Sequence, residues 1–248
     1  AYKTIQQGKS IAGLAHKEIS SRLMNLFSPD NDLTSFNSDK NLLLDIQKSM
    51  ESLREEDWND GEIGVYPTRL LFDEPWLRYL TQYPKIWLDM PSTWERRKKQ
   101  KYNDLPSSIE KDDYPNYYLR NFHHQTDGYL SDFSASIYDL QVEILFNGTA
   151  DSMRRRILKP LKKGLLNFSE RKTNNVKVLD IATGSGRTLK QLRSAFPKNK
   201  ILGLDLSDSY LKEASRYIAD LEGDLIELIK ANAESLPFED NSLQAISC

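Results

Sequence analysis

The sequence predicts an α/β fold: a parallel sheet preceded by a mainly helical N-terminal extension. Three observations carry this. From Val176 onward, short apolar runs alternate with stretches of helical periodicity, the mark of strand–helix–strand crossovers. Before about residue 170 that alternation is missing, and helical patterns surround one segment rich in proline and aromatic residues. The first apolar run also leads into a glycine-spaced turn, "ATGSGR", and then directly into an amphipathic stretch.

Each element follows in order. "VKVLDIA" reads as a buried strand. Leu189, Leu192 and Phe196 fall on one face of the helix after it, which Pro197 stops. "KILGLDL" is a second strand, and Ser207 is placed to cap a second helix. That helix is expected to bury Leu211, Ala214, Ile218 and Leu221 and to end at Gly223. "DLIELIKA" is a third strand and "LQAISC" begins a fourth. Upstream, "TIQQGKSIAGLAHKEISSRLMNLF", "DKNLLLDIQKSMESLREE" and stretches near 131–146 and 150–167 carry helical periodicity. Residues 58–118 read as irregular, with Trp58, Trp76, Trp87 and Trp94 gathered into a small aromatic core. The expected division is a helical, aromatic-rich extension or lid over 1–130 and a ligand-binding sheet domain over 131–248.

Composition narrows the function. A chain of 248 residues with 39% hydrophobic and 28% charged residues suits a globular protein, and a net charge of -2 provides no global field to recruit nucleic acid. No nucleic-acid partner and no membrane span are expected: no apolar run approaches the ~18 residues a spanning helix needs. Cys248 is the single cysteine, which excludes an internal disulfide and suggests a reducing, cytoplasmic compartment. The opening has no long apolar core, so no signal peptide is expected, and Ala1 in place of Met suggests that the natural start lies elsewhere.

A strand, a glycine turn and a helix start make an anion- or nucleotide-binding corner, because glycines admit close backbone approach and the helix start offers free N–H groups. The turn departs from a dinucleotide fingerprint: Gly184 and Gly186 match, but Leu189 stands where the third glycine belongs. It departs from a P-loop too, since Arg187-Thr188 falls at the wrong spacing for the Lys-Ser/Thr pair. Two further strand ends strengthen the signal. Asp205 closes the second strand, where an acid accepts hydrogen bonds from ribose hydroxyls. Asn232 follows the third strand, where it can meet a purine edge, with Leu236 and Phe238 as apolar surface. Singly, Asp205 also suits a helix-capping acid and Asn232 a turn former.

The set "VLDIATGSGR…ILGLDLSDSYLKEA…IKANAESLPFEDNSLQAISC" resembles the class I S-adenosylmethionine-dependent methyltransferases, especially the ubiquinone and menaquinone C-methyltransferase branch. The resemblance covers about residues 176–248. It implies a Rossmann-like sheet with its first four strands present, S-adenosylmethionine as cofactor, and transfer of a methyl group to a small-molecule acceptor. It also implies that Asp180, Ala182, Gly184 and Gly186 lie near the methionyl end, that Asp205 with Leu206 holds the ribose, and that Asn232 and Ala233 face the adenine. Tyr138 would touch the cofactor from the lid side. Ala182 takes the place of the family's first glycine, which suits a negative φ there. The family's sheet has seven strands, so the chain is expected to be C-terminally truncated and, expressed alone, to aggregate or behave as a partly ordered species and to fail to turn over substrate.

The acceptor, the acceptor atom and any general base are not legible. The segment 117–139 is the second candidate site: His124, Asp127 and Tyr129 are its candidates for handling a proton at the acceptor, beside His123 and Gln125, with Gly128 as a hinge. The same segment also reads as a hydrogen-bonded loop. Adjacent histidines point to different faces, so no metal site is expected. "WERRKKQK" and "MRRRILKPLKK" read as solvated basic helix faces. Two other functions compete: a different user of S-adenosyl nucleosides, such as an aminopropyltransferase, or a non-catalytic binding module.

Overall fold

The computed structural model describes residues 1–27, 40–169, 176–221, 223 and 225–248. The change of organisation read near residue 170, and Asp39 and Asp224 at the heads of two expected elements, lie outside the described residues.

Four parallel strands form the sheet in the order β3-β2-β1-β4: β1 Lys177–Ile181, β2 Lys200–Asp205, β3 Ile226–Lys230 and β4 Ala245–Ser247. Val178 lies opposite Ile201 on one side and Ala245 on the other. Helices α7 (Arg187–Ala195) and α8 (Asp208–Ile218) make the crossovers. The middles of the central strands, Val178–Leu179 and Ile201–Leu204, carry no polar side chain because both faces are covered, as a parallel sheet requires. On one face Val178 and Ile201 join Leu189, Leu192 and Phe196; on the other Leu179, Leu202 and Leu204 meet Phe238 and Leu243. Leu189 and Leu192 are fully buried, so truncating either to Ala costs roughly 2–5 kcal/mol.

The first of those clusters continues into the N-terminal part of the chain. Tyr2, Val65, Tyr66, Leu70 and Leu71 pack with Leu158, Leu165 and the strand residues. The elements involved are α1 (Tyr2–Phe27), α2 (Lys40–Glu62), a short turn at Thr68–Phe72 and α6 (Leu158–Ser169), which follows α5 (Ala150–Arg155). Two helices remain: α3 (Trp76–Lys98) and α4 (Asp132–Leu145), which pack against each other through Tyr79, Ile86, Ile137 and Leu140.

The expectation of an irregular stretch over 58–118 is corrected by α3. Pro84 and Pro91 lie inside this 23-residue helix, each removing one ladder donor, yet Tyr79, Gln82 and Ile86 keep one buried face. Nor do the tryptophans form one core. Trp58 stacks on Tyr2 at 5.7 Å, Trp87 lies 4.8 Å from His16, and Trp76 is exposed. The face of α8 is also rotated from expectation: Tyr210, Glu213 and Ala214 are buried, while Leu211 and Ile218 are half-buried, because Tyr210 and Glu213 have partners in α4 and α3.

Both basic runs hold buried arginines. Arg96 donates to the His124 carbonyl at 3.0 Å, and Arg155 reaches Asp57 at 2.6 Å with both side chains at most 3% exposed. Carboxylates and carbonyls on facing elements supply the counterparts that a helical wheel of one segment does not reveal.

Candidate active site

The carboxyl ends of β1, β2 and β3 open on one edge, where open α/β sheets bind ligands. The turn from Ala182 to Gly186 crosses that edge with three left-handed residues: Ala182 at φ +54°, Gly184 at +56° and Gly186 at +83°. The negative φ expected at Ala182 is therefore wrong. The turn needs the left-handed conformation at this residue, and a Cβ there costs roughly 1–2 kcal/mol. Gly186 allows α7 to start against α8; a Cβ would sit 3.0 Å from that of Ala214.

Asp205 organises the corner. One carboxylate oxygen accepts from the Gly184 N–H at 2.8 Å, the other from the Ser207 N–H at 2.9 Å. Burial pushes its pKa up, and these backbone donors oppose the shift. Asp180 lies behind the turn, accepting from Thr183 at 2.8 Å and from Ser247 at 2.7 Å. Burial pushes its pKa up to about 6, against those two hydrogen bonds.

A cavity of about 420 Å³ fills the corner. Ala182–Ser185, Leu204–Leu206 and Ala231–Ala233 contribute from the strand ends. Tyr117, Tyr118, Tyr129 and Tyr138 contribute from the segment upstream, with Tyr210 of α8. Arg154, Arg187 and Thr188 complete the lining. Among the expected cofactor residues, Ala182, Gly184, Asp205, Leu206, Asn232, Ala233 and Tyr138 line this cavity; Asp180 and Gly186 shape the turn without lining it. Asn232 also serves its own turn, accepting from the Glu234 N–H at 2.9 Å, while Tyr117 donates to Glu234 at 3.0 Å. Leu236 and Phe238 are not among the lining residues; Phe238 packs under the sheet.

The tyrosines share a geometry. Tyr129, Tyr138 and Tyr210 meet edge-on in pairs at 5.4–5.9 Å. Burial raises all three phenols, Tyr129 to about 12, so they stay neutral. The segment is fixed to α8: Ser207 donates to the Tyr129 carbonyl at 2.6 Å, and Gln125 to the Tyr210 hydroxyl at 3.0 Å.

His124 and Asp127 do not line the cavity, contrary to the roles considered for them. His123, His124 and Asp127 all hold positive φ in a tight loop that Asn121 ties to Asp104 and Gln125. That loop turns the His124 ring onto Tyr102, 5.1 Å away, and leaves its Nδ1 buried without a hydrogen bond. Gly128 is packed rather than a free hinge, since the Arg120 carbonyl stands where a Cβ would lie. Of these candidates only Tyr129 reaches the cavity. Sequence reading missed Arg154 and Tyr210. Arg154 sat in a basic run with no visible partner, and pairs with Asp151 at 2.8 Å while its side chain stays 19% exposed.

Glu74, Glu143 and Asp151 lie close enough to hold a metal ion, but Lys9, Arg154 and Arg187 already pair with them. They form a buried charge network that ties α1 to α7.

A glycine turn, an acid ending the next strand and an aromatic wall surround one cavity at the carboxyl edge of the sheet. Residues 178–248 match the family described as "Methyltransferase domain". The chain is 34% identical over 118 residues to the demethylmenaquinone methyltransferase of Thermotoga maritima, covering 48% of the chain and 45% of that relative. It is 42% identical over 72 residues to a ubiquinone/menaquinone biosynthesis C-methyltransferase of Hahella chejuensis, covering 28% and 29% of the two chains. A like-named protein of Desulfotalea psychrophila is 29% identical over 116 residues, covering 47% and 42%. The chain thus spans less than half the length of these curated relatives. No solved structure matches it at a significant level. Among the described residues no helix is long and apolar enough to cross a membrane.

Proposed function

We propose that the whole protein transfers a methyl group from S-adenosylmethionine to a small-molecule acceptor, and that the corner at Gly184 and Asp205 holds the donor. The observation that carries this reading is Asp205: it faces the cavity, and its oxygens accept from the backbone N–H groups of Gly184 and Ser207 while keeping lone pairs for ribose hydroxyls. The other residues suit the same donor. Edge-on tyrosines suit a cationic sulfonium, whose charge is attracted to ring faces. Arg154 suits the amino-acid carboxylate, and Asn232 with the Ala233 backbone suits the adenine edge. A cavity of about 420 Å³ is near the lower end of ligand sites, ~300–1,000 Å³, and takes one nucleoside-sized molecule.

When bound, the donor supplies an electrophilic methyl carbon. The chain's residues align it and exclude water, and alignment of this kind is worth up to ~7–11 kcal/mol. Relatives named as demethylmenaquinone and ubiquinone/menaquinone methyltransferases support methyl transfer to a small-molecule acceptor over aminopropyl transfer. The division into an N-terminal cover over 1–130 and a donor-binding part over 131–248 belongs to this proposal. So does a cytoplasmic location, which the single exposed thiol of Cys248 supports. Titration calorimetry with S-adenosylmethionine and with NAD tests the reading: binding of the first and not the second is expected, and the reverse refutes it.

A further inference from the structure

Two arginines line the donor cavity, and one buried carboxylate holds both. Asp151 accepts from Arg154 Nη1 at 2.8 Å and from Arg187 Nε at 3.2 Å. We infer that Asp151 is a positioning residue: it aims Arg154 at the carboxylate of the donor's amino-acid tail, and so makes the site select a nucleoside that carries that tail over one that lacks it. The inference rests on the proposed donor site.

The two arginines differ in what they have left to offer. The Arg187 side chain is 4% exposed; its Nε and Nη2 go to Asp151, its Nη1 to the Tyr217 hydroxyl, and its guanidinium carbon lies 5.1 Å from the Tyr217 ring centre. Arg154 meets Asp151 through Nη1 and stays 19% exposed, so its remaining N–H groups are open to a ligand. Burial raises the Tyr138 phenol and the Asp180 carboxyl, and the Arg154 charge is among the forces opposing both rises, which sets Arg154 beside the turn and the tyrosine wall. Asp151 itself has little freedom. It is buried, its N–H donates to Glu143 at 3.1 Å, and Lys9 of α1 pairs with Glu143 at 3.3 Å and with Glu74 at 2.5 Å. The carboxylates of Glu74, Glu143 and Asp151 thus meet the cations of Lys9, Arg154 and Arg187. An amino-acid tail, with one carboxylate and one ammonium, adds no net charge to that balanced cluster. Without Asp151 the ligand itself has to order the long Arg154 side chain, which weakens binding.

The test compares two uncharged thioether nucleosides by calorimetry on the full chain: S-adenosylhomocysteine, which carries the amino-acid tail, and methylthioadenosine, which lacks it. Wild type should prefer S-adenosylhomocysteine. Asp151→Asn, which keeps the shape and removes the charge, should weaken S-adenosylhomocysteine by about tenfold while methylthioadenosine stays within about twofold. Arg154→Gln should lose as much, and the double variant no more than Arg154→Gln alone, because one residue acts through the other. Where Asp151→Asn leaves buried Arg187 unpaired and the chain unfolded, Asp151→Asn with Arg187→Gln removes both partners of that pair and should show the same selective loss. An unchanged preference in Asp151→Asn or in that paired variant, equal losses for both nucleosides, or additive losses on combination with Arg154→Gln overturns the inference. Wild type that binds both nucleosides equally overturns it too and leaves the donor corner standing. Wild type that binds neither refutes the donor corner and the inference with it.

Discussion

Tyr138 lines the donor cavity, edge-on to Tyr129 and Tyr210. If its ring faces a sulfonium, Tyr138→Leu should weaken S-adenosylmethionine by ~0.5–2 kcal/mol more than the uncharged S-adenosylhomocysteine. Equal losses in parallel titrations would remove the cation–π role. Asp180 gives a pH prediction. Its folded pKa of about 6 lies above the ordinary value of 3.8, so the folded state holds the proton more tightly and stability falls as pH rises between those values. Asp180→Asn should therefore stabilise the chain at pH 8 by an order of 1–3 kcal/mol and gain nothing at pH 3.5. Thermal unfolding of both proteins across that range checks this, and a pH-independent difference would contradict it. At this scale the sequence was legible where chemistry depends on chain order: Asp205, Gly184 and Asn232 occupy successive strand ends. It was silent about Ala182, because a left-handed alanine leaves no composition signal. It was silent too about Tyr210 and Arg154, whose roles come from partners on other elements.

The elements were legible where both faces of a strand are apolar. The four strands and the two helices between them follow from alternation, from Ser207, whose side chain accepts from the Tyr210 N–H, and from Pro197. Helix α3 was not, because Pro84 and Pro91 argue against a helix locally while tertiary burial of Tyr79 and Ile86 overrides them. Asp57 on α2 shows how the N-terminal helices are joined to the rest. Fully buried, it accepts from Tyr2 of α1, Tyr66 and Arg155 of α5. Burial alone would raise its pKa, but the Arg155 hydrogen bonds and charge outweigh that and hold it low. The stability it contributes is therefore present above the unfolded carboxylate range and is lost as pH falls below it. Asp57→Ala leaves Arg155 buried without its partner and should cost about 3–5 kcal/mol, read from the denaturant midpoint. A cost under about 1 kcal/mol would show that the node is dispensable.

Across the whole molecule, the N-terminal helices do more than precede the sheet. Tyr2, Val65 and Leu71 share a hydrophobic cluster with Val178 and Leu192, and the segment bearing Tyr117, Tyr129 and Tyr138 lies over the strand ends. The sheet was readable because its pattern is local and repeated. The contacts that join the N-terminal helices to the sheet were not, since long-range contacts leave no period in the chain. The proposed function turns on Asp205, at the end of β2, holding the ribose of S-adenosylmethionine. Calorimetric titration of the full chain and of Asp205→Ala tests this most directly. Saturable S-adenosylmethionine binding to wild type is expected, weakened in the variant by roughly 1–3 kcal/mol. Unchanged affinity in a folded Asp205→Ala protein, or tight NAD binding without S-adenosylmethionine binding in wild type, would contradict it.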